Sequence, residues 1–473
     1  MKQLENLIDR VTTRANMNLR EFDFDVAPYI KNVIPPEKFL KYYAFYGVTS
    51  HHPLYFNFVN SNLAGSYFLG KCTTDHSILY KTDVRGDELK KKGDTFTYQG
   101  FEMPIENDEI IAIKDSFLIK TLIHNCSHDP ESPEEFLIRN TVSNYYSNIH
   151  GAPVEGCYLA SFSTVDLTSL HSCIIGAFSY VQAPDLYYMP IKPGTIWIKG
   201  EDYKFKYTYE SEILDKYIQE IPGEVPNGIF MDFMESRKDN FSKIFDSAVD
   251  VKAFDVPEQS AISRYAYIAG DTHISENVLI SQRAYLENAW MGPGTNAQEN
   301  SYIINSRLEK NDITAHGAKI INANLGEKVF VAFNSFLHGT PECPLTIGAG
   351  CMVMPHTIMD LDEPLTIPEG TVAWGYIRNQ KDLEENSVLI EDLRKVDGKV
   401  NMGNMEFKGN GASLISAFEH RIDHILEANG AYFSGDVKLQ GHAQEGRSIS
   451  YNLIQPYLTG KNKGIYPSID IRP

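Results

Sequence analysis

The chain has 473 residues, 42% of them hydrophobic and 22% charged, the composition of a folded protein with room for two or three domains or one elongated repeat domain. Its formal net charge of −19 argues against general binding to nucleic acid or to an anionic membrane, since both need a basic footprint. MKQLENLIDRVTTRAN carries acidic residues where a signal peptide would be apolar, no run approaches the ~18 apolar residues of a membrane span, and the six cysteines form no CxxC pair, so a reduced, cytoplasmic protein is expected.

Residues 1–63 begin with helix-like spacing and then turn aromatic, in KYYAFYGVTSHHPLYFNF. Residues 64–200 change texture to short apolar runs set among small residues. In IHGAPVEGCYLASFSTVDLTSLHSCIIGAFSYV the aliphatic residues Ile149, Val154, Leu159, Val165, Leu170, Ile175 and Val181 recur every five or six positions. A helix needs steps of three and four and a strand steps of two, so neither accounts for this tract. KKKGDTFTYQGFEMPIEND interrupts its start and reads as a loop.

Residues 201–262 return to steps of three and four in SEILDKYIQEI and GIFMDFMESRKDNFSKIFDSAV, which predicts a helical insertion. The five-to-six rhythm resumes over 263–378, through Ile274, Ile280, Leu286, Leu325, Val331, Leu337, Ile347, Val353, Ile367 and Val372. A helical and irregular extension, 379–473, follows. LEENSVLIEDLRKV and SLISAFEHRIDHILEANG are its predicted helices, and Gly430 stops the second.

A chain that turns a corner every five or six residues climbs as a triangular coil. One aliphatic side chain per face points inward, small residues fill the corners, and each coil buries its face only against its neighbours. The absence of a dominant two-residue alternation argues against a β-sandwich. LTIGAGCMVMPHTIM and SCIIGAFSYVQA resemble the hexapeptide repeat of the left-handed parallel β-helix superfamily. The resemblance implies a mostly β fold in two β-helical tracts and a homotrimer with sites in clefts between neighbouring β-helices. It implies one of three functions: acyl transfer from acyl-CoA or acyl carrier protein to a small-molecule acceptor, γ-class carbonic anhydrase chemistry, or a non-catalytic scaffold.

Histidines discriminate among these. NSFLHGTPECPLTIGAGCMVM places His338 after an inward leucine, before a proline-bearing loop and a PLTIG restart. This is similar to sugar and xenobiotic acetyltransferases and implies that His338 is the general base, taking a proton from the attacking hydroxyl or amine. His316, Asn334 and His356 read as a ladder on one coil edge, each three residues after an aliphatic position (Ile313, Val331, Val353), and are further candidates for that site. Arg139 and Arg85 are candidate anion-binding residues. The zinc alternative rests on SNIHGAP and SLHSCIIG, which look like γ-class stretches and implicate His150 and His171 as ligands, although Asp166 stands where that family's further histidine would be. His124 and His128 read as loop residues, and His420 and His424 as a solvated helix face. The leading expectation is an acyltransferase with His338 as base.

Overall fold

The computed structural model describes residues 1–98, 101–126, 135–245 and 256–472. The chain divides into two compact units. One comprises Met1–Gly194, Ser211–Met234 and Ile449–Pro473, and the other Thr195–Glu210 and Glu235–Ser448. Each is built on a left-handed parallel β-helix with three flat faces.

In the first unit, one face runs from Ala44–Val48 to Tyr180–Gln182, the second from Tyr55–Val59 to Leu186–Tyr187, and the third from Ile78–Tyr80 to Pro190–Ile191. The strands of a face pair in parallel, register to register: Ile149 lies opposite Val165, and Val165 opposite Val181. The seven aliphatic residues that set the rhythm are all fully buried, so the steps of five, five and six are the three sides of one coil. A side-chain ladder reinforces one corner. The amides of Ser77, Ser116, Thr141, Cys157 and Cys173 each donate to the hydroxyl or thiol of the equivalent residue one coil earlier, at 3.1–3.4 Å. Small polar residues are needed there because the corner leaves room for one heavy atom above each amide.

A parallel sheet has exposed edges, which would template unwanted pairing. The chain covers its first two by bringing strands from its far end: Ser450–Ile454 pairs antiparallel with Ala44–Val48, and Ile469–Ile471 with Tyr55–Val59. The excursion read as a loop contains a hairpin, Thr95–Tyr98 with Phe101–Pro104. Helices Ser211–Tyr217 and Ile229–Glu235 occupy the stretch expected to be helical, with strand Tyr203–Thr208 before them. Phe230 packs its ring 5.4 Å from Phe162 and 4.9 Å from Phe178.

In the second unit the faces start at Ala261–Ile262, Tyr267–Ala269 and His273–Ile274 and end at Thr371–Ala373, Tyr376–Ile377 and Leu365–Ile367. Ile280, Leu286, Leu325, Val331, Leu337, Ile347, Val353 and Ile367 form its core as expected, with Ile274 packed against it from a partly exposed position. Two positions differ. Ile313 pairs with Phe330 and Thr314 with Val331, so a threonine rather than Ile313 takes the inward place. Ala373, not Val372, pairs with Val353. In both cases two apolar or small residues stand side by side, and only pairing with the coil above chooses between them.

Ser387–Leu389 closes the last coil by pairing antiparallel with Thr371–Ala373. That strand splits the helix expected over LEENSVLIEDLRKV into Gln380–Glu385 and Ile390–Leu393. Helix Gly411–Ala428 forms as expected. Asn410 caps it by accepting from the Ser413 amide, and Gly430 takes a positive φ beyond its end. Among the described residues no helix is long and apolar enough to cross a membrane.

Candidate active site

His338 ends strand Phe336–His338. Leu337 points into the core, so alternation turns both its neighbours outward. The next coil places Asp360 opposite His338, and Nδ1 of His338 lies 2.8 Å from Oδ1 of Asp360. Both side chains reach solvent, with 38% and 28% of their surface exposed. The Nδ1–H therefore donates to the carboxylate, which orients the ring and leaves the Nε2 lone pair facing outward.

The spacing within this pair is unusual for the tract. His338 and Asp360 are 22 residues apart, whereas the preceding coils on this face step by 17. The extra residues form the loop after His338. It is knotted by reciprocal backbone bonds between Thr340 and Cys343 at 3.0 and 3.1 Å, and anchored where Asn322 Nδ2 donates to the Gly339 carbonyl at 2.9 Å. This pinned loop begins at the residue after the exposed imidazole.

The expected ladder of His316, Asn334 and His356 is displaced by one residue. Because Thr314 rather than Ile313 is inward, His316 falls one place short of the corner that Asn334 and His356 occupy. Gly317, with φ 73°, takes that corner instead, and a Cβ there would lie 2.2 Å from the Asn334 amide oxygen. All three side chains are buried. His316 Nδ1 lies 2.9 Å from Glu299 Oε2, and the His356 carbonyl accepts from the Tyr209 hydroxyl at 2.6 Å. His338 sits at the far end of its strand from this corner, so the structure does not bring the three into its site. Lys319, beside them, is buried; desolvation lowers its pKa to about 7, and its ammonium donates to the Gly317 carbonyl.

In the first unit the two expected zinc ligands stand on different faces. His171 lies on the second face, stacked on Tyr187 at 4.8 Å with its Nδ1 3.9 Å from Glu155. His150 lies on the first face, in a register row that reads Arg85, His124, His150, Asp166 through successive coils. Asp166, which cannot replace an imidazole, instead holds one: its carboxylate accepts from His150 Nδ1 at 2.8 Å and from the Tyr180 hydroxyl. The two candidate anion binders are engaged within the protein. Arg85 is buried against Asp87, and Arg139 Nε donates to Glu155 at 2.9 Å. His124, read as a loop residue, belongs to strand Leu122–Cys126, and His128 lies outside the described residues.

Sequence reasoning did not pick out Asp360 as the partner of His338. Asp360 was findable in principle, since the carboxylate that orients a corner histidine must come from the same place one coil on. The loop conceals that place by adding to the coil's length.

The hexapeptide repeat including loop, a family model, matches residues 101–222. The search of curated proteins finds no match. A crystal structure from Desulfovibrio desulfuricans G20, of a chain provisionally described as an acetyltransferase, is 52% identical, with a TM-score of 0.92 over 100% of this chain and 99% of that one. A hexapeptide transferase family protein of Anaplasma phagocytophilum (20% identity, TM-score 0.23) covers 27% of this chain and 81% of its own. A Bacillus cereus chain provisionally described as an acetyltransferase (14%, 0.21) covers 36% and 89%, and neither of these two adds weight. With that match along its whole length and the coils themselves in view, the chain belongs to the left-handed parallel β-helix, hexapeptide-repeat transferase superfamily.

Proposed function

We propose that the protein is an acyltransferase that moves an acyl group from a CoA or acyl-carrier thioester onto the hydroxyl or amine of a small acceptor. The observation that carries this is the exposed His338–Asp360 pair, 2.8 Å apart, beside the inserted loop. The description of the Desulfovibrio relative supports the same reaction class. Nε2 of His338 takes the proton as the acceptor's oxygen or nitrogen attacks the thioester carbonyl. The tetrahedral intermediate then collapses, breaking the carbon–sulfur bond, and the sulfur leaves as a thiol after receiving a proton. Asp360 keeps the imidazole in the productive tautomer and stabilises the imidazolium between the two transfers. A homotrimer in the cytoplasm, with His338 lining a cleft between protomers, belongs to the same proposal.

The test is thiol release from acetyl-CoA in the presence of a panel of amino and hydroxyl acceptors. Turnover should fall ~10²- to 10⁴-fold in His338→Ala, the usual worth of positioned proton transfer. Asp360→Asn should lower it less. Full turnover by the His338 variant on an established acceptor would remove the histidine from the mechanism. A monomer in sedimentation analysis would remove the trimer.

A further inference from the structure

The two β-helices treat their first coils differently. In the first unit, strands from the far end of the chain pair with the outer edges of two faces. In the second unit, Ala261–Ile262, Tyr267–Ala269 and His273–Ile274 are each the terminal strand of their sheet. Among the described residues no strand pairs with their outer edges. The inward aliphatic residues of this coil, Ile262, Ile268 and Ile274, are accordingly part-exposed, whereas Ile280, Leu286 and Met291 above them are buried. An end that sets strand edges beside an apolar interior needs a cover, because solenoids require capped ends and bare edges template pairing.

The spacing within the coil says what fits. Ile262 and Ile274 stand at equal distances in sequence before and after Ile268, one on each face. A half-turn about an axis through Ile268, perpendicular to the coil axis, therefore sets Ile268 against Ile268 of a second copy and Ile262 against Ile274. Such a half-turn lays a helical ramp along itself, so the gap between the two coils is constant around the triangle. All three edges then pair at once, antiparallel, at the ~4.8 Å strand spacing. The charges agree with this placement. The corner that carries Arg264 meets the corner that carries the exposed Asp271 in the second copy. The exposed Glu276 meets Ser260, whose carbonyl accepts from the Arg447 guanidinium at 3.3 Å. In a chain of net charge −19, two matched pairs of opposite sign at one end favour contact between copies there.

We propose that a second copy of this chain caps the second β-helix, the two first coils meeting across a two-fold axis at Ile268. The contact is self-complementary: each copy lends the same edges, the same three isoleucines and the same two charge pairs. It joins the coils by strand addition, with backbone hydrogen bonds supplying affinity and the isoleucines and corner charges supplying register. It stands apart from the role given to His338, and it differs from a three-fold contact, which does not bring two identical coil ends together.

The experiment is the particle mass of the full-length protein by sedimentation velocity, at micromolar concentration. Wild type should have twice the mass of Ile268→Lys, whatever number of copies other contacts bring together. Asp271→Arg, a change at an exposed corner, should weaken the doubling by ~10-fold or more, since like charges then face each other. The exchanged pair Arg264→Glu with Asp271→Arg should restore it. Ile268→Cys should form a disulfide between copies on mild oxidation, because residues opposite each other on antiparallel strands have Cβ atoms ~4.5–5.5 Å apart. Equal masses for wild type and Ile268→Lys would overturn the proposal. Protection of the Ile262, Ile268 and Ile274 amides from hydrogen exchange would then show that the chain covers this end itself. Failure of the exchanged pair to restore the doubling would equally refute the two-fold axis.

Discussion

Where no insertion interrupts them, the coils of the first β-helix repeat every 16 residues and most of those of the second every 17, and the two differ in what stands at their corners. At one corner of the first, Tyr146, Phe162 and Phe178 hold positive φ values of 53–60°. That conformation costs a side chain with a Cβ roughly 1–2 kcal/mol. Aromatic burial offsets the cost: Tyr146 stacks on Phe162 at 5.1 Å, and Phe162 and Phe178 pack on Phe230 of the inserted helix. At one corner of the second, the left-handed positions are Asn288, Asn305 and Asn322, whose side chains tolerate that conformation and bond along the axis, Asn288 Nδ2 to Asn305 Oδ1 at 2.9 Å. One corner is a docking ridge for a helix, and the other is a self-sufficient polar ladder.

The histidine–aspartate pairs divide in the same way. His150–Asp166 and His338–Asp360 occupy the same place, the last residue of a three-residue strand and its partner one coil on, with the same 2.8 Å separation. His150 is 12% exposed and Asp166 fully buried, against 38% and 28% for the other pair. Only the exposed pair can meet a diffusing acceptor. Identical local geometry therefore comes with two different degrees of access to solvent.

The largest expected effect tests that division: His338→Ala should lose ~10²- to 10⁴-fold in turnover while keeping its melting temperature, because an exposed imidazole contributes little to the core. Next, Phe178→Ala should cost ~3–5 kcal/mol in urea unfolding, since it empties the ridge on which Phe230 sits. A loss under ~1 kcal/mol would show that the helix does not depend on the corner.

Asp312 sharpens the comparison from the second tract. It is buried, and desolvation raises its pKa from 3.8 to about 8 while it accepts from the Val329 amide at 2.8 Å. The folded state keeps a proton that the unfolded chain sheds above its ordinary value. Its contribution is therefore complete below about 3.8 and lost as pH rises toward 8. Asp312→Asn imitates the protonated form, so its stability advantage over wild type should grow from pH 5 to pH 8, by at most ~1.4 kcal/mol per unit. Denaturation curves at pH 5, 6, 7 and 8 measure it, and parallel profiles would contradict the buried-acid account. The smallest effect is at the Asn corner, where Asn305→Ala should cost ~1–2 kcal/mol and Asn305→Gly less, because glycine accepts positive φ.

What could be read from the sequence was whatever repeats within one coil. An inward aliphatic must recur at each side of the triangle, so the two tracts and most core positions were visible in the spacing alone. The place of His338 on its coil was legible too, because it stands directly beside an inward leucine and a coil restart. The one-residue slips at Ile313 and Val372 mark the limit of that logic, where adjacent residues suit the interior equally and the coil above makes the choice.

Tertiary structure decided what depends on register between coils. His338 meets Asp360 across 22 residues and His150 meets Asp166 across 16, while His124 reaches His150 across an insertion of another length. Spacing along the chain does not reveal such partners. Insertions at the corners change the number of residues per turn but leave the rise per turn set by backbone hydrogen bonds, at about 4.8 Å between strands. That constant rise stacks a histidine on its carboxylate, and burial of the finished stack then separates a pair that can reach solvent from one that cannot.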